Sequence, residues 1–289
     1  MTYRFPASIT RKTAGGWQWW TDHVYRDGYR IQQSALSSRW RLLTETNHRV
    51  AEGSRAECRR ELDALSPLDR WDQVTDRFVV LSHGLLRSTA CMAGMQSDLI
   101  RRGFKRVIRY GYASSRGSIE EHGEAMVGYV ESLPVGASFD FVGHSMGNIV
   151  LRTAIGHWQR HGDPRGVLPR MHRVVMLGPP NQGAMIARQL ARTGVFGWIA
   201  GPGAMQLGPH WDRIEPKLGI PPCPFAIIAG DRSGDLVKNP LVDGPCDYFV
   251  SLEEAKLEGA AMWKVVPVIH ASLMNNAEVQ NVTAEFLSS

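Results

Sequence analysis

A chain of 289 residues with 43% hydrophobic and 21% charged residues has the makeup of a globular protein with a sizeable core, which excludes a disordered or fibrous chain. The formal charge of +5 is scattered. Its densest pairs, Arg59-Arg60 and Arg101-Arg102, read as solvated helix faces, so no nucleic acid is expected as a partner.

Residues 1–16 show little periodicity, and Ala14-Gly15-Gly16 marks them as a flexible lead-in. Residues 17–70 predict a small module of three strands and one helix. The strands are Tyr29 to Gln33, Arg39 to Leu43 and His48 to Ala51. Ser54-x-x-Glu57 is a capping box opening a helix that reaches Leu65, where Ser66-Pro67 stops it. Trp17, Trp19, Trp20 and Trp40 are expected to fill its thin core.

From residue 71 to the C-terminus, strands and helices alternate, the pattern of a parallel sheet covered on both faces. Phe78 to Ser82, Arg106 to Tyr110, the run ending at Val142, Met171 to Gly178, Phe225 to Ala229 and Lys264 to Ile269 are the expected strands. Helices are expected from Ala90 to Arg102, from the capping box Ser118-x-x-Glu121 to Ser132, after Ser145, and from Asn276, where Val279, Val282 and Phe286 share a face. Residues 184–215 are rich in Gly, Pro and Trp, too broken for a crossover helix, and read as a lid or pocket wall.

The chemistry centres on Gly143-His144-Ser145-Met146-Gly147, a G-x-S-x-G match fed by a strand and left by a helix. That context is expected of a nucleophile elbow and makes Ser145 the nucleophile candidate. A serine hydroxyl needs a base, and the base needs an orienting group. With chain order Ser, acid, His, the base follows the lid. His210 sits among Gly208, Pro209 and Trp211 as a lid residue, whereas His270 follows the last strand and is the expected base. Asp231, Asp235, Asp243 and Asp247 are the options for the acid. Asp231 reads as a loop-shaping residue and Asp243-Gly244 as a turn pair. For the oxyanion, the N–H of Met146 is one expected donor and that of Leu85, in His83-Gly84-Leu85, the second. His83 follows an early strand and is read as structural.

Through LSHGL, YGYASSRGSIEEH, VGHSMGN, LGPPNQG, a D-x-x-V-S-x-E-E loop and HASLMNN, the chain from about Arg77 onward resembles bacterial α/β-hydrolases of the serine esterase and lipase group, near the triacylglycerol lipase-like and GPI-inositol-deacylase-like proteins. The resemblance implies an α/β-hydrolase fold, a doubly wound, mostly parallel sheet with a lid segment and a small N-terminal α+β appendage. It matches Asp247 to the acid. Tyr248 stands where that group has glycine, so Asp243 stays open as the alternative.

The expected activity is hydrolysis of carboxylic esters through an acyl-enzyme, on a small-molecule or lipid ester with an apolar acyl part, as Met185, Ile186, Leu190, Val195, Phe196, Trp198, Ile199 and Met205 offer an apolar wall. An acyltransferase or amidase with the same triad, or a catalytically silent binding scaffold, are the alternatives. No cofactor is expected, and neither a nucleotide loop nor an H-E-x-x-H zinc motif occurs. Cys58, Cys91, Cys223 and Cys246 lack short paired spacing, which leaves only Cys223 and Cys246 as a potential bridge. No run nears the roughly 20 apolar residues of a membrane helix, so no transmembrane segment is expected. The first residues lack the apolar core of a secretory signal, and a cytoplasmic location is the expectation.

Overall fold

The structure, a computed structural model, describes residues 11–192, 196–236 and 239–289. Most of the expected lead-in, residues 1–10, lies outside these. Strands β1 (Arg11–Lys12), β2 (Trp20–Arg26), β3 (Tyr29–Ser34), β4 (Trp40–Leu43) and β5 (His48–Gly53) form an antiparallel five-stranded sheet in the order β1-β5-β4-β3-β2. Two of these strands are not among the three expected. The pairing of β2 shifts register between Asp22 and Val24, which breaks the alternation a strand is read from, and β1 is too short to carry a pattern.

Helix α1 (Arg55–Leu65) starts at the Ser54 and Glu57 capping box and sets Cys58 and Leu62 against Val24, Ile31 and Leu42. The tryptophans do not fill this core. Trp17 and Trp19 are exposed, and Trp20 and Trp40 lie half-buried under the guanidinium groups of Arg41 and Arg55. Helix α2 (Leu68–Trp71) leads into the body, where Trp71 Nε1 donates to the Ser132 carbonyl at 2.9 Å.

The body is a six-stranded parallel sheet of β6 (Arg77–Ser82), β7 (Arg106–Tyr110), β8 (Ser138–His144), β9 (Met171–Leu177), β10 (Phe225–Gly230) and β11 (Met262–Val266). Their order is β11-β10-β9-β8-β6-β7. Side chains alternate between two cores, as the two-residue period of a strand requires. Phe78, Val80, Phe139 and Phe141 face one with α4 (Ile119–Glu131) and α5 (Met146–His161), whereas Val79, Leu81, Val142 and Val175 face the other with α3 (Ala93–Arg101) and α10 (Ala277–Ser288).

Strand β11 ends earlier than expected. Pro267 has no N–H to extend the ladder with β10, whose last pair is Gly230 with Val266. The described residues of 184–215 are more helical than their composition suggests, forming α6 (Met185–Ala191), α7 (Phe196–Leu207) and α8 (Trp211–Ile214), and Val195 of the expected apolar wall lies outside the described residues. Gly201, at φ 82°, and Pro202 kink α7. Ala184, Ala187, Leu207, Trp211 and Ile214 join the core beside α5. A short helix, α9 (Leu252–Ala255), follows the loop that carries Asp247. All four cysteines are free, so the potential Cys223–Cys246 bridge is not formed. Among the described residues no helix is long and apolar enough to cross a membrane.

The chain runs from β6 outward to β7 and then returns to β8 on the other side of β6. In open α/β sheets the crevice beyond the strand ends at such a reversal is where ligands bind. The loops after β6 and β8 border this crevice, and they carry His83 to Leu85 and Ser145.

Candidate active site

Ser145 sits between β8 and α5 with φ 54° and ψ −128°, a backbone strain typical of a serine thrust out of a strand-to-helix turn. Its N–H donates to the Leu177 carbonyl at 2.9 Å, which pins the turn to β9. Gly143 and Gly147 make the turn feasible. A Cβ at Gly143 would lie 2.2 Å from Asn148 Oδ1, and one at Gly147 2.5 Å from the His83 carbonyl oxygen.

The N–H of Met146 is in the first turn of α5, where no intrahelical acceptor exists and the helix dipole is positive. The loop after β6 abuts it: a Cβ at Gly84 would lie 2.8 Å from Ser145 Cβ, and Leu85 follows. Behind this loop His83 is buried and stacked on Tyr112, with ring centroids 4.4 Å apart. Its Nδ1 lies 2.9 Å from the Gly84 carbonyl, its Nε2 faces the Tyr112 N–H, and its own carbonyl accepts from Tyr112 Oη at 2.7 Å. An Nδ1–H donating to one side and a bare Nε2 accepting from the other fit a neutral ring. Burial pushes the His83 pKa down to about 4.

His270 opens a short 3₁₀ turn, His270–Asn275, beyond β11. Its Nδ1 lies 2.7 Å from Asp247 Oδ2, and its backbone N–H donates to the Asp247 carbonyl at 2.9 Å. Asp247 is 1% exposed, and its Oδ1 accepts from the backbone N–H groups of Phe249 and Val250 at 3.0 and 2.8 Å. The carboxylate is thus held at both oxygens, with one aimed at the imidazole. Ser145 Oγ and His270 make no hydrogen bond to each other among the described residues.

The other acids lie elsewhere. Asp243 is exposed in its turn. Asp231 accepts from Ser233 N–H at 2.8 Å, shaping its own loop, and Asp235 pairs with Arg232. His210 lies within the 184–215 insertion, at the start of α8.

Three residues that the motifs do not single out complete the arrangement. His144, fully enclosed before Ser145, places Nε2 3.0 Å from the His270 carbonyl and its ring centroid 4.8 Å from that of His270. Burial pushes its pKa well below the ordinary value, so it acts there as a neutral donor. Asn181, in the loop after β9, donates to the Ala255 carbonyl at 2.9 Å, and its Oδ1 accepts from Arg152 at 3.2 Å, joining α9 to α5. Phe249 lies over His270 at 5.6 Å between centroids and is 48% exposed, an apolar rim at the imidazole. Only their places inside quoted motifs hinted at these residues.

Comparison with solved structures places the architecture. The chain is similar to a lipase from Bacillus licheniformis (BlEst2), with a TM-score of 0.56 at 15% identity over 74% of this chain and 92% of that one. The fold is the α/β-hydrolase fold. A metagenomic carboxyl esterase, MGS0156, gives the same TM-score of 0.56 at 14% identity, covering 74% of this chain and 76% of its own. Phospholipase PlaB from Legionella pneumophila gives 0.56 at 13% identity, with 74% and 58% covered. No protein-family model matches the sequence, and no curated protein does.

Proposed function

We propose that the protein is a serine hydrolase of carboxylic esters that works through an acyl-enzyme. Ser145 Oγ attacks the ester carbonyl while His270 Nε2 takes its proton. Asp247 orients the ring through Nδ1–H and stabilises the imidazolium that forms. The N–H groups of Met146 and Leu85 receive the oxyanion, and each such donor lowers the barrier by roughly 3 to 4 kcal/mol. The protonated His270 returns its proton to the departing alcohol, and water then enters by the same route to release the acid.

The observation that carries this reading is the 2.7 Å contact of His270 Nδ1 with Asp247 Oδ2, beside a serine at φ 54°. The two side chains stand 23 residues apart in the chain, and His144, the neighbour of Ser145, has Nε2 3.0 Å from the His270 carbonyl. The names of the structural neighbours, lipase, carboxyl esterase and phospholipase, agree with ester chemistry.

The substrate side is apolar. Met146 is fully buried beside the nucleophile, and α7 runs over it, because a Cβ at Gly203 would lie 3.3 Å from Met146 Sδ. An acyl chain laid against this wall gains about 25 cal/mol for each Å² withdrawn from water. A panel of p-nitrophenyl esters tests the assignment. Turnover is expected to rise from acetate to medium-chain acyl groups, and absence of turnover on the whole panel overturns ester hydrolysis.

A further inference from the structure

One of the contacts between the N-terminal sheet and the body is a buried amide that touches the loop after β6, which borders the crevice, and the loop after β7. Gln18, in the turn before β2, is 6% exposed. Its Nε2 donates to the Arg87 carbonyl at 2.6 Å and to Ser114 Oγ at 3.0 Å. Its Oε1 accepts from the backbone N–H and the hydroxyl of Ser115, both at 2.9 Å. Arg87 closes the turn containing Leu85, as its N–H donates to the Gly84 carbonyl at 3.3 Å.

Ser115 leads to the acyl wall. A Cβ at Gly201 would lie 2.1 Å from the Ser115 carbonyl oxygen, and the same kinked helix covers Met146 through Gly203. One side chain therefore ties the loop with the second oxyanion donor to the loop on which α7 rests. The residue type suits the task. An amide carries donors and an acceptor on one rigid plane, and the arm of glutamine reaches two backbones. Thr21 and Asp22 also hold the second loop, through the N–H groups of Ala113 at 3.1 Å and Gly111 at 2.8 Å, and neither reaches Arg87.

We propose that Gln18 is a positioning residue for the hydrolysis: it fixes the spacing between the oxyanion loop and the acyl wall, so the N-terminal module is a working part of the active site. The proposal rests on Ser145 as nucleophile. Oxyanion donors act only when placed about 2.7–3.1 Å from the developing charge, and a misplacement of about 1 Å can lower the rate about a hundredfold.

The test compares wild type, Gln18→Met, Gln18→Asn and Thr21→Val. Methionine keeps the volume and removes every hydrogen bond. Asparagine is one methylene short and can serve one loop at a time. Thr21→Val loosens the same junction without touching Arg87. The readouts are the rate of Ser145 inactivation by a fluorophosphonate, kcat and KM for a medium-chain p-nitrophenyl ester, and Tm.

Gln18→Met is expected to lower the inactivation rate and kcat by about tenfold with KM changed less than about twofold, while Gln18→Asn falls between it and wild type. Thr21→Val is expected to lower Tm while keeping kcat. If Gln18→Met folds with wild-type inactivation rate and kcat, or if Thr21→Val loses as much kcat as Gln18→Met, the positioning role is overturned. Should Gln18→Met not fold, a wild-type inactivation rate in Gln18→Asn overturns it equally. A wild type that the probe does not label at Ser145 overturns the ester-hydrolase reading itself, a result distinct from a labelled wild type beside an unaffected variant.

Discussion

Tyr248 holds φ at 79°, a conformation open to glycine and strained for a tyrosine. The turn it makes lets the next two N–H groups, of Phe249 and Val250, close on Asp247 Oδ1. Glycine is the usual residue at this place in the group the chain resembles, and the geometry explains why. Here the strain is offset in part by the hydroxyl of Tyr248, which donates to Asp235 Oδ2 at 2.7 Å. The sequence left Asp243 and Asp247 both open, because distance to an imidazole 23 positions on is a property of the fold rather than of the loop. If Asp247 is the acid, Asp247→Asn is expected to lower kcat by about 10⁴ and Asp243→Asn to leave it within about twofold, measured on one p-nitrophenyl ester. A larger loss in Asp243→Asn contradicts the assignment.

At the scale of elements, what was legible was local. The elbow, the capping boxes at Ser54 and Ser118, and most strands of the parallel sheet follow from short-range pattern, since buried parallel strands are runs of apolar residues bounded by turns. Short-range pattern fails where tertiary context decides. β2 carries Asp22 in full burial, which no strand pattern predicts, because Gln32 and the Gly111 N–H supply its hydrogen bonds across two elements. The Gly and Pro of α7 read as breakers, yet they shape a kink that lets a helix lie on Ser115. Gly201→Ala tests that contact, with φ 82° and a Cβ 2.1 Å from a carbonyl oxygen. It is expected to destabilise the protein by about 1–3 kcal/mol and to lower kcat/KM more for medium-chain esters than for acetate. Equal losses on both substrates would show that the helix supports the catalytic geometry and not the acyl chain.

For the whole molecule, buried neutral histidines link stability to pH. Burial pushes His83 to about 4 and His122 to about 3, and lowers His144 well below its ordinary 6.5. Their unfolded-state pKa is near 6.5, so below that pH the unfolded chain binds protons that the folded chain refuses. Stability is complete above about pH 6.5 and falls as pH drops toward 4, by about 1.4 kcal/mol per unit for each such group. Buried Asp22 and Asp140, raised from 3.8 chiefly by desolvation, act in the opposite sense, so a difference between variants is the cleaner reading. His122 Nε2 has no hydrogen-bond partner, so His122→Phe removes the titrating ring without breaking a hydrogen bond at that atom. Urea unfolding from pH 6.5 to 5 is expected to show a pH slope that is shallower in this variant than in wild type, the difference approaching about 1.4 kcal/mol per unit at the acid end. Identical slopes contradict a buried neutral His122.

In the proposed mechanism Ser145 is the activated nucleophile of this fold. Labelling with a fluorophosphonate, followed by mass mapping of the modified peptide, tests it most directly, because the probe needs an activated serine and no knowledge of the natural ester. One phosphonyl group on Ser145 is predicted, absent from Ser145→Ala and slowed at least about a hundredfold in His270→Ala. An unlabelled wild-type protein, a label on another residue, or labelling that survives unchanged in His270→Ala would contradict the account.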